Sequence, residues 1–165
     1  MKKVWIVLVL ALLLAGCGAE ETMETVADEA VQAVSAQPRE IRVDLPEEAV
    51  LPAMESDSGV LYMCRDYDVS MQTLDGGDLE KTIRTVTGYS ADDLTVMQTS
   101  DGDFTRSEFV WTTAGEAGDQ VCRAAVVDDG SYHYVLTAAI SSEKAGEYQE
   151  IWNGMFESFT VDYAD

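Results

Sequence analysis

The chain reads as an α+β domain built on an antiparallel sheet and preceded by an export signal. Three observations carry this reading. Short runs of apolar–polar alternation recur from Ile41 onward. Asp/Gly turn signals separate the later runs and leave connections too short for anything but antiparallel neighbours. Two stretches, Leu79 to Val86 and Tyr148 to Phe159, switch to a helical apolar period.

The N-terminus comes first. Lys2 and Lys3 precede Val4–Leu14, an uninterrupted apolar run of 11 residues. A hydrocarbon core of about 30 Å needs roughly 20 residues to cross, so this run suits the apolar region of a signal peptide instead. It ends in Leu14-Ala15-Gly16-Cys17. Basic start, apolar run, small residues and a Cys at the right distance together resemble the lipobox of bacterial lipoproteins. The resemblance implies that residues 1–16 are removed. It also implies that Cys17 carries a diacylglyceryl thioether and acyl chains such as palmitate, and that the bilayer is the first partner. The expected location is the bacterial cell membrane, lipid-anchored on the extracytoplasmic side. An ordinary cleaved signal with an incidental Cys, or an uncleaved anchor, would share the apolar run alone.

Residues 17–40 then read as the lipidated Cys and an acidic tether. Glu20, Glu21, Glu24, Asp28 and Glu29 fall in it, and no aromatic residue does. Val26, Ala30 and Val34 are spaced for a short helix, but a solvated, self-repelling segment accounts for the same composition. Residues 41–165 read as a single domain, long enough for a core without metals or many disulfides.

Charge narrows the function classes. The 165 residues hold 31 Asp and Glu against 10 Lys and Arg, a net charge of −21. Without residues 1–16 there are 149 residues, eight bases and a net charge of −23. That excludes nucleic acid, whose phosphates demand a basic face. It equally disfavours electrostatic adhesion to anionic headgroups, so residence at a membrane calls for a covalent tether.

The elements follow in order. Ile41–Leu45 alternates as a strand, and Pro46 and Pro52 bracket a stretch that belongs at an edge or in a loop. Gly59–Cys64 and Tyr67–Gln72 form two short strands with Arg65-Asp66 turning between them. Asp78 is positioned to cap a helix whose stripe is Leu79, Ile83 and Val86, and Gly88 to end it in the left-handed conformation. Ser90-Ala-Asp-Asp93 has the spacing of a further short turn. Four strands come next: Leu94–Thr99, Phe104–Thr113, Gln120–Val127 and Ser131–Ile140. In the last, Tyr132, Tyr134, Leu136, Ala138 and Ile140 share one face. Ser141 or Ser142 is expected to cap a final helix that buries Tyr148, Ile151, Trp152, Met155, Phe156 and Phe159.

About six strands, ending in a four-stranded meander and flanked by helices, result. Over residues 55–162 this resembles the Mog1/PsbP-like fold. The resemblance rests on the helix closing at Gly88, the Asp128-Asp-Gly-Ser-Tyr-His-Tyr134 hairpin and the terminal stretch ending Phe156-Glu-Ser-Phe159. It implies an antiparallel sheet between helices. Family members of known role are non-enzymatic accessory proteins, in photosynthetic oxygen evolution and in binding a small GTPase. Neither role passes to this chain by fold alone.

Few residues point to chemistry. Cys64 and Cys122 are the candidate disulfide pair in an exported chain, and a bridge would restrict the unfolded state by about 4 kcal/mol. Two buried thiols acting as small apolar side chains are the alternative. No Cys-x-x-Cys motif is present. His133 is the single histidine, so no multi-His metal site exists, and no Gly-x-Ser-x-Gly accompanies it. Asp75–Asp78, Asp101–Asp103 and Asp128–Gly130 cluster carboxylates, but none matches an EF-hand loop, and Asp and Gly are what turns require. Gly76-Gly77 before a helix lacks the Lys and spacing of a phosphate loop. No catalytic residue, metal site or cofactor is therefore assigned. The expectation is a non-enzymatic binding or accessory domain for a protein or small-molecule ligand, with an acidic hydrolase or calcium-dependent enzyme as the alternative.

Overall fold

Strands joined by short Asp/Gly turns have to lie side by side, and the computed structural model, which describes residues 37–115 and 118–162, shows them doing so. The chain runs β1 (Glu40–Arg42), β2 (Met54–Ser56), β3 (Gly59–Met63), β4 (Tyr67–Asp75) and α1 (Leu79–Thr87). A 3₁₀ turn (Ala91–Asp93) leads to β5 (Met97–Asp101), β6 (Phe104–Gly115), β7 (Gly118–Asp128) and β8 (Tyr132–Ser141). The last elements are α2 (Gln149–Ser158) and β9 (Thr160–Asp162). Seven strands form one sheet in the order β2-β3-β4-β8-β7-β6-β5, and every pairing is antiparallel. The meander β5–β8 is the one the turn signals predict, and β8 closes it onto β4.

Alternation along β8 divides the core. Tyr134, Leu136, Ala138 and Ile140 join Trp152, Met155, Phe156 and Phe159 beneath α2. On the opposite face Val135 joins Phe109, Trp111, Cys122, Ala124, Val126 and Ile83 beneath α1. Fully burying each large side chain contributes roughly 1.5–3 kcal/mol, which is what holds one helix to each face. The ends of α1 are those expected. The Glu80 N–H donates to Asp78 Oδ1 at 3.0 Å. Gly88 takes φ 79° and its N–H donates to the Arg84 carbonyl.

Several expectations are corrected. The final helix starts at Gln149, not after Ser141 or Ser142. Ser141 is still paired with Gln120 in the ladder, and the Ser142 N–H donates to the Asp119 carbonyl. The Lys144 and Glu147 N–H groups then close two successive turns. Lys144 and Tyr148 both reach Asp66 in the β3–β4 turn, which fixes this connection before the helix can begin. Ile151 is exposed, not buried, and Phe159 lies one residue past the helix. Leu94–Val96 precede the strand they were expected to open, because the 3₁₀ turn delays β5 to Met97. The count of six strands becomes seven plus a separate two-stranded sheet in which β1 pairs with β9. Arg39 and Glu40, expected in the tether, are thereby built into the fold.

Candidate functional site

Cys17 and most of the tether lie outside the described residues. The other nominated residues can be placed. Cys64 and Cys122 are both free. Cys64 packs against the cluster under α2 and Cys122 sits in the cluster under α1, so the sheet stands between them and the expected bridge is not formed. Burial pushes both thiols above their ordinary value, which keeps them protonated and poorly nucleophilic.

His133 is completely buried. Its Nδ1 is hydrogen-bonded to Thr82 Oγ1 of α1 at 2.7 Å. Its Nε2 faces Asp128 Oδ2 at 3.6 Å, too far for a hydrogen bond. The ring ties α1 to the start of β8.

The acidic turns spend their carboxylates on backbone. Asp128 Oδ1 accepts from the Gly130 N–H, and Asp129 Oδ1 accepts from the Ser131 and Tyr132 N–H groups. Asp78 caps α1. Among the described residues no three His, Cys, Asp or Glu side chains gather as a metal-binding group.

Two arginine-centred clusters escape sequence reasoning. In the first, Asp129 Oδ2 accepts from the Tyr134 hydroxyl and from Arg39 Nε, each at 2.9 Å. The Arg39 N–H donates to the same hydroxyl at 2.7 Å, and its guanidinium lies 4.8 Å over the Phe104 ring. Burial alone would raise the Asp129 carboxyl, but the Tyr132 and Ser131 N–H groups, followed by the Tyr134 hydroxyl and Arg39, hold it below the usual carboxylate range. In the second cluster, Glu108 receives Arg106 Nε at 2.7 Å and Arg123 Nη2 at 2.8 Å. Arg106 also donates to the Phe156 and Phe159 carbonyls, the free acceptors at the end of α2. Both clusters act on position: one pins the entry of the chain, the other pins α2. The available signal was scarcity, since eight bases among 31 acids leave each arginine a choice of partners.

The remaining feature is an open half-face. The face that α1 covers over β6, β7 and β8 continues across β4, β3 and β2, where none of the described helices packs on it. Register places Met54 beside Leu61, Leu61 beside Ser70, and Met63 beside Asp68. Met54, Leu61, Ser70 and Gln72 line a groove of about 410 Å³ there. Met54 and Met63, with Val50 and Leu51 in the loop before β2, are each at least 66% exposed. At the inner end, beside Ala139 of β8, Asp68 is half-buried and among the described residues has no hydrogen-bond or ion-pair partner; its burial raises the carboxyl above the ordinary value.

Known proteins add a fold likeness. No family model and no curated protein matches the chain. Among solved structures, a cyanobacterial PsbP from Synechocystis sp. PCC 6803 superposes with a TM-score of 0.52 at 10% identity, covering 79% of this chain and 96% of that one. LpqN, described as involved in cell envelope biogenesis of Mycobacterium tuberculosis, gives 0.46 at 13% identity over 76% and 86%. The Saccharomyces cerevisiae Ran-binding protein Mog1p gives 0.47 at 10% identity over 73% and 89%. The chain therefore has the PsbP-like arrangement of an antiparallel sheet between helices.

Proposed function

We propose that this protein is a lipid-anchored extracytoplasmic lipoprotein whose domain binds a partner without transforming it. The carrying observation is the coincidence of Lys2-Lys3, the Val4–Leu14 run and Leu14-Ala-Gly-Cys17 in one N-terminus. Two acyl chains hold a protein at a bilayer where one does not, and a chain of net charge −23 beyond residue 16 needs such a hold. The binding role is supported by what the described side chains do. The histidine is sealed between Thr82 and Asp128, the thiols are neutral, and the partly buried Arg39, Arg106 and Arg123 are committed to Asp129 and Glu108. Among the described residues, the open half-face over β2, β3 and β4 is what these contacts leave exposed for a partner.

The experiment is metabolic labelling with an alkyne palmitate analogue, followed by detergent phase partition. The wild-type chain is expected to carry label and enter the detergent phase. Cys17→Ala is expected to lose both. Label retained by Cys17→Ala, or a wild-type chain left in the aqueous phase, would overturn the anchor.

A further inference from the structure

We infer that the open half-face over β2, β3 and β4 is the docking surface, and that its occupant is a basic segment of a partner protein. A lysine or arginine of that segment sits on Asp68 while its apolar side chains cover Met54, Leu61 and Met63. This deepens the binding role proposed above by naming the surface and the chemistry of the partner.

Charge selects the occupant. Glu55 is the one charged side chain among the residues that line the groove, Asp57 stands in the β2–β3 turn beside it, and Asp68 lies on the same face at its inner end. The exposed Met54 and Met63 supply the apolar surface between these acids. An apolar strip rimmed by one sign of charge favours a partner of the opposite sign and repels its like. Three other occupants are excluded on that ground. The chain's own residues 18–36 carry five acids and no base. A second copy would bring the same acidic rim against this one. An anionic bilayer surface would be repelled as well.

Asp68 adds a specific demand. A carboxylate that is half-buried and unpaired among the described residues has lost hydration without gaining a partner there. A cation delivered to it restores that loss, and a charge-assisted hydrogen bond is about twice as strong as a neutral one. Edge pairing is not needed for this docking. β2 has only three residues, with Pro52 close before it and Glu55 within it, which are the features that keep an edge from recruiting strands. Recognition is therefore by the face.

The test uses the full lipidated chain in phosphatidylcholine nanodiscs and a short fluorescent peptide of Lys-Leu-Thr repeats, with a Glu-Leu-Thr peptide as counterpart. Anisotropy titration should show binding of the basic peptide alone. Asp68→Asn and Met54→Ser should each weaken it at least about tenfold, equivalent to ~1.4 kcal/mol. Asp103→Asn, which removes one charge from the exposed β5–β6 turn, should change it less than about twofold. Asp68→Asn keeps the side-chain shape, and Met54 is exposed, so unchanged thermal melts will show that both variants fold. Equal weakening by Asp103→Asn would mean diffuse attraction and overturn the inference. So would binding of the Glu-Leu-Thr peptide, absence of binding, self-association abolished by Met54→Ser, or uptake of the open face by the lipid itself. The anchor is read by palmitate and phase partition, and the surface by peptide binding, so each can fail alone.

Discussion

Removing the Asp129 carboxylate should be among the most damaging single changes in the domain. Its side chain is 5% exposed and accepts from two backbone N–H groups, the Tyr134 hydroxyl and Arg39. Asp129→Ala takes this acceptor from all four donors and removes the Asp129 charge from beside an Arg39 side chain only 17% exposed. A hydrogen bond to a charged group contributes about 1.5–3 kcal/mol net. These bonds share one acceptor and do not add, so the better guide is the cost of removing one partner of a buried pair, about 3–5 kcal/mol. Against a typical native stability of about 5–15 kcal/mol, that is a large fraction. Asp129→Asn keeps one oxygen for the turn but sets an amide N–H₂ against the hydroxyl and the guanidinium, so a smaller loss of about 1–3 kcal/mol is expected. Urea unfolding followed by far-ultraviolet circular dichroism measures both, with the slope checked for constancy. A double-mutant cycle with Arg39→Ala isolates the ion pair. A loss below about 1 kcal/mol for Asp129→Ala, or a coupling near zero, would refute the reasoning that this cluster locks the entry of the chain.

Other expectations follow from the same contacts. Trp152→Ala should cost about 3–5 kcal/mol, because the ring is buried between α2 and the sheet; a loss well under 1 kcal/mol would contradict that packing. Thiol counting on denatured, unreduced protein should find Cys64 and Cys122 both reactive, and both should react slowly when folded; no reactive thiol in the denatured chain would restore the bridge. Acid should destabilise the fold. Lys144 and Tyr148 hold Asp66 below its ordinary value of 3.8, and Glu108 and Asp129 are held low by their arginines and N–H donors against the effect of burial. A depressed carboxyl lends stability that is present above its unfolded pKa and lost as pH falls through its folded one, so stability should drop from about pH 4 downward. Asp68 has the opposite sign, and Asp68→Asn should leave stability at pH 7 unchanged or raised; a clear loss would show that its charge is already paired.

The local features of the fold were legible in the residues, and the long-range ones were not. Asp78 and Gly88 mark both ends of α1 because a cap and a left-handed stop are decided within a few residues. The meander could be read because Asp101-Gly102 and Asp128-Asp-Gly130 leave no room for another topology. Pairing of β1 with β9 joins three residues at each end of the domain, and no local pattern encodes a partner so distant in sequence. The false start of α2 has a similar cause. Ser141 looks like a helix cap, yet its place is set by Gln120 across the ladder and by Asp66 holding Lys144 and Tyr148. The open half-face was illegible for the same reason. Met54, Leu61 and Asp68 are unremarkable singly, and only the register of β2, β3 and β4 places Met54 beside Leu61 and runs that face on to Asp68.

Everything proposed about location turns on one atom, the Cys17 sulfur. Mass spectrometry of the protein purified from membranes reads the mature N-terminus directly. The account predicts a chain that begins at Cys17 and carries the added mass of a diacylglyceryl group on that residue. A chain that begins elsewhere, or one that begins at Cys17 with no lipid on it, would contradict it.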